Sequence, residues 1–165
     1  MFLDYQPQTN NTCAFAPKLP TGWPIMKFNN LLYKNQRFDV MVSEGAGQTR
    51  ADINKLTAGA LNCDLYLRIP AATTPVLVIT NGQYYVPAPA DYDTATGRVH
   101  IKGPLTTAIS DNYLVVTYGS SDFDGDGLTD SAELGLTTSP VNPDTDGDLM
   151  TDGYEFNNGL NLNVN

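Results

Sequence analysis

The sequence predicts a mainly β protein: an N-terminal β-sandwich, immunoglobulin-like or jelly-roll-like, over residues 1–120, then an irregular acidic repeat region over residues 121–165. Three observations predict it. Several short runs alternate apolar and polar residues with the period of two that a half-buried strand requires. Fourteen glycines, eleven prolines and nine tyrosines, with few stretches of helical period, favour strands and turns. The whole net charge of −9 originates after residue 120, so the two parts differ in kind.

Residues 1–30 are rich in Pro, Asn, Gln and Thr and carry one apolar cluster, Trp23, Ile25, Met26 and Phe28, expected to wrap the sandwich or to lie against a neighbouring subunit. Phe38, Val40 and Val42 then alternate with Asp39, Met41 and Ser43 as a strand would. Residues 51–58 alone look helical. The clearest strand is 61–69, with Leu61, Cys63, Leu65, Leu67 and Ile69 on one face and Asn62, Asp64, Tyr66 and Arg68 on the other. Residues 76–80 and 83–86 flank Asn81-Gly82, whose tolerance of positive φ suits the type I′ turn of a hairpin. Residues 97–102 follow another turn, and 113–118 close the domain. Six or so short strands at this spacing make a sandwich, and the lack of alternating helices argues against a parallel α/β fold.

From Ser121 to Asn165 there are ten acids and no Lys, Arg or His. Asp122, Asp124, Asp126, Asp130 and Glu133 fall at positions 1, 3, 5, 9 and 12 of one loop, and Asp144, Asp146, Asp148, Asp152 and Glu155 at the same positions of a second. An EF-hand-type loop wraps oxygen ligands around a hard cation with this spacing, and adds a backbone carbonyl at position 7. Five carboxylates within twelve residues repel one another, no cationic side chain nearby neutralises them, and a divalent ion does. A run of like charge ordinarily belongs to a solvated, disordered tail. Here the acids sit only at ligand positions, interleaved with Gly125, Gly127 and Gly147, where the backbone turns back on itself. The second loop has Leu149 at position 6, which prefers glycine; its turn is expected to be strained, or Gly147 to share the role.

Residues 124–130, 142–148 and 151–155 together resemble thrombospondin type 3 repeats of secreted and surface proteins, over about 45 of the 165 residues. The resemblance implies two Ca2+ ions. One would be held by Asp122, Asp124, Asp126, the Leu128 carbonyl, Asp130 and Glu133, and the other by Asp144, Asp146, Asp148, the Met150 carbonyl, Asp152 and Glu155. It also implies little regular structure and a role as a rigid spacer or assembly module. Dockerins are similar too, with duplicated loops at a comparable offset, but Gly135 and Pro140 argue against the fuller helix that a dockerin carries after each loop. Neither loop is entered from a helix, so no calmodulin-like switch is expected.

Two cysteines, an even count beside calcium loops of the millimolar kind, favour an extracellular or cell-surface setting and a disulfide between Cys13 and Cys63; two separate buried thiols are the alternative. Residues 1–4 lack the pattern of a signal peptide, and no apolar run is long enough to span a membrane. Residues 10–12 match the N-glycosylation pattern, a frequent chance match.

Catalytic chemistry finds little support. His100 falls on the polar side of its strand, the only glutamate outside the loops is Glu44, and Asp91 and Asp93 beside Gly97 read as a turn. So acidic a chain, with nine bases, is a poor nucleic-acid binder. Three functions remain. The first is an extracellular structural or adhesive subunit, its loops made rigid by Ca2+ and assembled with copies of itself or another surface protein, in a filament for example. The second is a glycan- or ligand-binding module using aromatics such as Trp23, Tyr84, Tyr85, Tyr92 and Tyr118. The third is an accessory part of a larger enzyme. Chelation is expected to loosen the tail and leave the sandwich folded.

Overall fold

A computed structural model describes residues 6–7, 12–105 and 111–164. The chain is mainly β, with two sheets packed face to face as a sandwich. The strands are β1 (Gln6–Pro7), β2 (Thr12–Phe15), β3 (Ile25–Tyr33), β4 (Gln36–Gly45), β5 (Gln48–Lys55), β6 (Leu61–Arg68), β7 (Pro75–Thr80), β8 (Gln83–Tyr85), β9 (Tyr92–Asp93), β10 (Arg98–Leu105) and β11 (Asp111–Tyr118). One sheet runs β1-β2-β6-β10-β9 and the other β3-β4-β5-β11-β7-β8. Among the described residues all pairings are antiparallel except β2 with β6.

Alternation places the core. Phe38, Val40 and Val42 of β4, Ala51 and Ile53 of β5, Leu61, Cys63, Leu65 and Leu67 of β6, Val99 and Ile101 of β10, and Leu114 and Val116 of β11 form one buried cluster between the sheets. Phe15 of β2 joins it, its ring 5.8 Å from that of Phe38. The Asn81-Gly82 hairpin forms as expected, with φ of 49° and 82°.

Three expectations are corrected. Residues 51–58 are not helical: β5 occupies most of them, its inward side carrying Thr49, Ala51, Ile53 and Lys55, two of them polar, so the alternation is hidden. The opening stretch does more than wrap the sandwich, since it supplies β2 and β3. A bulge between Phe28 and Leu31, with Asn30 at φ 57°, shifts the register of β3 and interrupts its period of two. Cys13 and Cys63 stand opposite each other in the β2–β6 register, both buried, but they are free thiols and not the expected disulfide. The Cys13 thiol points to the Asn62 carbonyl at 3.5 Å. The glycosylation match reaches outside the described residues, as do residues 1–4. No helix among the described residues is long and apolar enough to cross a membrane.

After β11 the chain forms two loops, each ending in a helix, α1 (Asp130–Leu136) and α2 (Asp152–Asn158). Thr129 and Thr151 cap their N-termini by accepting from the Ala132 and Tyr154 amides, and Thr137 and Gly159 close them in the left-handed region at φ 64° and 66°. The region is thus less irregular than the sequence suggests, because caps at both ends hold α1 together through Gly135. Phe123 and Val141 pack against Leu77, Ile79 and Val115, which project from the face of the six-stranded sheet turned away from the sandwich core.

Candidate functional sites

The two acidic loops are built alike. Asp122 accepts from the Gly125 and Gly127 amides at 2.8 and 3.0 Å, and Asp144 from Gly147 and Leu149 at 2.7 and 2.9 Å. Asp126 accepts from Leu128 at 2.7 Å and Asp148 from Met150 at 2.8 Å. The aspartate at the start of each helix reaches back across the loop, Asp130 to the Phe123 amide at 2.9 Å and Asp152 to the Thr145 amide and hydroxyl at 3.0 and 2.7 Å. These bonds coil each loop so that its carboxylates converge. Oxygens of Asp122, Asp124 and Asp126 lie within 4.8 Å of one another, as do those of Asp144, Asp146 and Asp148. Helix formation then swings Glu133 and Glu155 inward, both fully buried.

Several of these groups lack the hydrogen bonds that burial demands. Both oxygens of Asp124 and of Glu133, one each of Asp130, Asp146 and Glu155, are buried without a hydrogen-bond partner among the described residues. Burial, then repulsion by Asp124, Asp126, Asp130 and Asp152, pushes Glu133 up to about 8, and burial followed by Asp126 raises Asp124 to about 6. Glu155 is raised by burial and by Asp148, Asp146, Asp152 and Asp144. An all-oxygen donor set of this charge, orphaned where it is buried, fits a hard divalent cation. At position 6 the loops need positive φ, which Gly127 supplies at 100° and Leu149 at 77°, so the second turn is strained at Leu149; Gly147 turns at 79° as Gly125 does at 81° at position 4 of the first loop, and so does not take over the role.

A second candidate lies on the outer face of the five-stranded sheet. A cleft of about 360 Å³ is lined by Tyr66, Ala90, Asp91, Tyr92, Asp93, Arg98 and His100. Cross-strand pairing sets Tyr66 beside His100, their rings stacked at 4.2 Å, and the Arg98 guanidinium sits 4.7 Å from the Tyr66 ring centre. His100 also meets Asp64 at 3.0 Å, so it is not a simple solvated residue. Arg98 Nε is buried without a partner among the described residues. Asp93 is held in the expected turn, accepting from the Ala95 amide and the Thr96 hydroxyl, bonds that hold its carboxyl below the usual range. The sequence pointed to Tyr92 but missed Tyr66, Arg98 and His100 as its neighbours; the cross-strand register would have found them. Trp23, Tyr84 and Tyr85 are exposed but belong to opposite ends of the six-stranded sheet, Trp23 beside β3 and the tyrosines on β8, so they form no common platform.

Residues 8–54 match the family described as glycosyl hydrolase family 65, C-terminal domain. No curated protein matches the chain. Among solved structures it is similar to a family 127 β-L-arabinofuranosidase from Geobacillus stearothermophilus T6 (16% identity, TM-score 0.43, covering 70% of this chain and 16% of that one). It is also similar to the α-1,4-glucan lyase of Gracilariopsis lemaneiformis (12% identity, TM-score 0.39, 64% and 13% covered). The chain therefore spans about a sixth or less of the length of these structures.

The family match overturns the thrombospondin type 3 resemblance, and with it the structural, adhesive or filament-forming subunit expected from the sequence. That resemblance rested on the loops alone, which any EF-hand-type spacing satisfies; the match falls on β2 to β5, in a stretch whose Asn- and Pro-rich start carries no motif. The capped helix after each loop also departs from the mostly irregular winding that the resemblance implied.

Proposed function

We propose that this chain is a non-catalytic, glycan-directed β-sandwich module, an accessory part of a larger carbohydrate-active protein. The match of residues 8–54 to a glycoside hydrolase C-terminal domain carries this reading. The geometry suits it. The outer cleft is of a size that takes a small ligand, and Arg98, His100, Asp91 and the edges of Tyr66 and Tyr92 present both hydrogen-bonding groups and apolar ring surface. The test is affinity electrophoresis of the protein through gels containing a panel of neutral and acidic polysaccharides, followed by calorimetry with matching oligosaccharides. Retardation by at least one polysaccharide, weakened by Arg98→Ala and by Tyr92→Ala, is expected. No retardation by any of them would sink the proposal.

The orphaned buried carboxylates favour a second, compatible reading: residues 121–165 form a unit that holds two divalent cations, Ca2+ by the hardness of the donors, as a local brace for the module. Extracellular modules of this kind work at about 0.1–1 mM Ca2+, which suits a site of action outside the cell. A calorimetric titration of the chelated protein with Ca2+ tests it; a flat trace through several millimolar rejects it.

A further inference from the structure

Resting on the cation reading just given, we propose that the two loops form one composite site, in which Asp152 of the second loop completes the cation shell of the first and couples their occupancy. Three observations carry it. Oxygens of Asp126 and Glu133, from the first loop, lie within 4.8 Å of each other and of an oxygen of Asp152, from the second. Glu133 is fully buried, and neither of its oxygens has a hydrogen-bond partner among the described residues. It thus faces a group of ligand type across the seam with nothing else to satisfy it. The seam itself is close: the Gly153 amide donates to Asp126 Oδ2 at 2.7 Å, and a Cβ on Gly153 would stand 2.2 Å from the Asp126 carbonyl oxygen.

Asp152 is also the residue whose carboxylate ties the second loop shut through Thr145. Ordering of the second loop by its own ion therefore sets the position of a group that the first ion uses. Without an ion in the first loop, the crowded Asp126, Glu133 and Asp152 groups cannot all carry charge across the seam without repulsion; with one, their oxygens share its charge. Each ion thus favours the other, and by linkage the effect is reciprocal.

The test follows Ca2+ titration of the whole chain by amide NMR, using Gly125 and Gly127 to report the first loop and Gly147 the second. These amides bond to Asp122 and Asp144, so they sense each site directly. Asp144→Asn removes a ligand of the second loop that is not among the seam carboxylates, and Gly153→Ala alters no ligand but wedges the seam. In the unmodified chain, Gly125, Gly127 and Gly147 are expected to move over the same Ca2+ range. In either variant, Gly125 and Gly127 are expected to need about tenfold more Ca2+ or beyond, within the usual span of coupling. An unchanged first-loop titration in Asp144→Asn overturns the composite site while leaving cation binding intact, even if Gly153→Ala fails to fold. Failure of all three glycines to respond in the unmodified chain overturns the cation reading and this one together.

Discussion

Substituting Phe123 tests whether the acidic region is an appendage or part of the folded body. Phe123 occupies position 2 of the first loop, yet its ring packs with Val141 on Leu77, Ile79 and Val115, all three fully buried on the outward face of the six-stranded sheet. Removing a wholly buried phenylalanine costs about 3–5 kcal/mol. Phe123 is half-buried, so about 2 kcal/mol is expected for Phe123→Ala. At about 2–4 °C per kcal/mol for a chain of this length, the melting temperature should fall by about 4–8 °C. Complete release of the acidic region would expose Leu77, Ile79 and Val115 at about 1.5–3 kcal/mol each, an upper figure of about 5–9 kcal/mol against a typical total of about 5–15. The sheet and the loops should therefore melt together, and chelation should destabilise the sandwich instead of merely loosening the acidic region. The assay is thermal unfolding of the Ca2+-loaded and chelated protein, followed by far-ultraviolet circular dichroism for the strands and by the Gly125 and Gly147 amides for the loops. A strand transition unmoved by Phe123→Ala, or one that stays fixed while the loop signals vanish on chelation, would refute the reasoning.

Leu149 is 94% exposed and sits at φ 77°, so Leu149→Gly relieves backbone strain with no packing lost; stability in denaturant titration should rise by about 1 kcal/mol. Cys13 and Cys63 face each other on neighbouring strands about 4.8 Å apart, within reach of a disulfide. Mild oxidation should therefore form an intramolecular bridge, read by mass spectrometry and loss of thiol titre, and stabilise the chain by up to about 4 kcal/mol. In chelator, Glu133 and Asp124 hold their protons more tightly folded than unfolded. Their contribution is thus present below the ordinary carboxylate range and is lost as pH rises, through about 6 for Asp124 and about 8 for Glu133. Melting temperature in chelator should fall over that window, and saturating Ca2+, which binds the deprotonated ligands, should remove the fall.

How much of the fold and sites was legible in the sequence depended on whether one signal spoke alone. In β6 every inward residue is apolar and every outward one polar, and at Asn81-Gly82 the turn chemistry leaves few alternatives, so both were readable. In β5 the buried Thr49 and Lys55 broke the binary pattern, and tertiary burial overrode it. In β3 the bulge at Asn30 reversed the alternation midway. The loops show the opposite problem, since the ligand spacing was so legible that it eclipsed the rest. Phe123 and Val141 look like spacers between acids, although it is their packing on β7 and β11 that fixes the region to the sandwich. Asp152 likewise counts in the sequence as a ligand of its own loop, and only the approach of Gly153 to Asp126 shows it facing the other. Local spacing specifies which atoms can hold a cation. The contact between repeats decides whether the loops act singly, and it depends on Gly153, which has no side chain to hold the repeats apart, while Phe123, flanked by two ligand aspartates, fixes the first loop to the sheet.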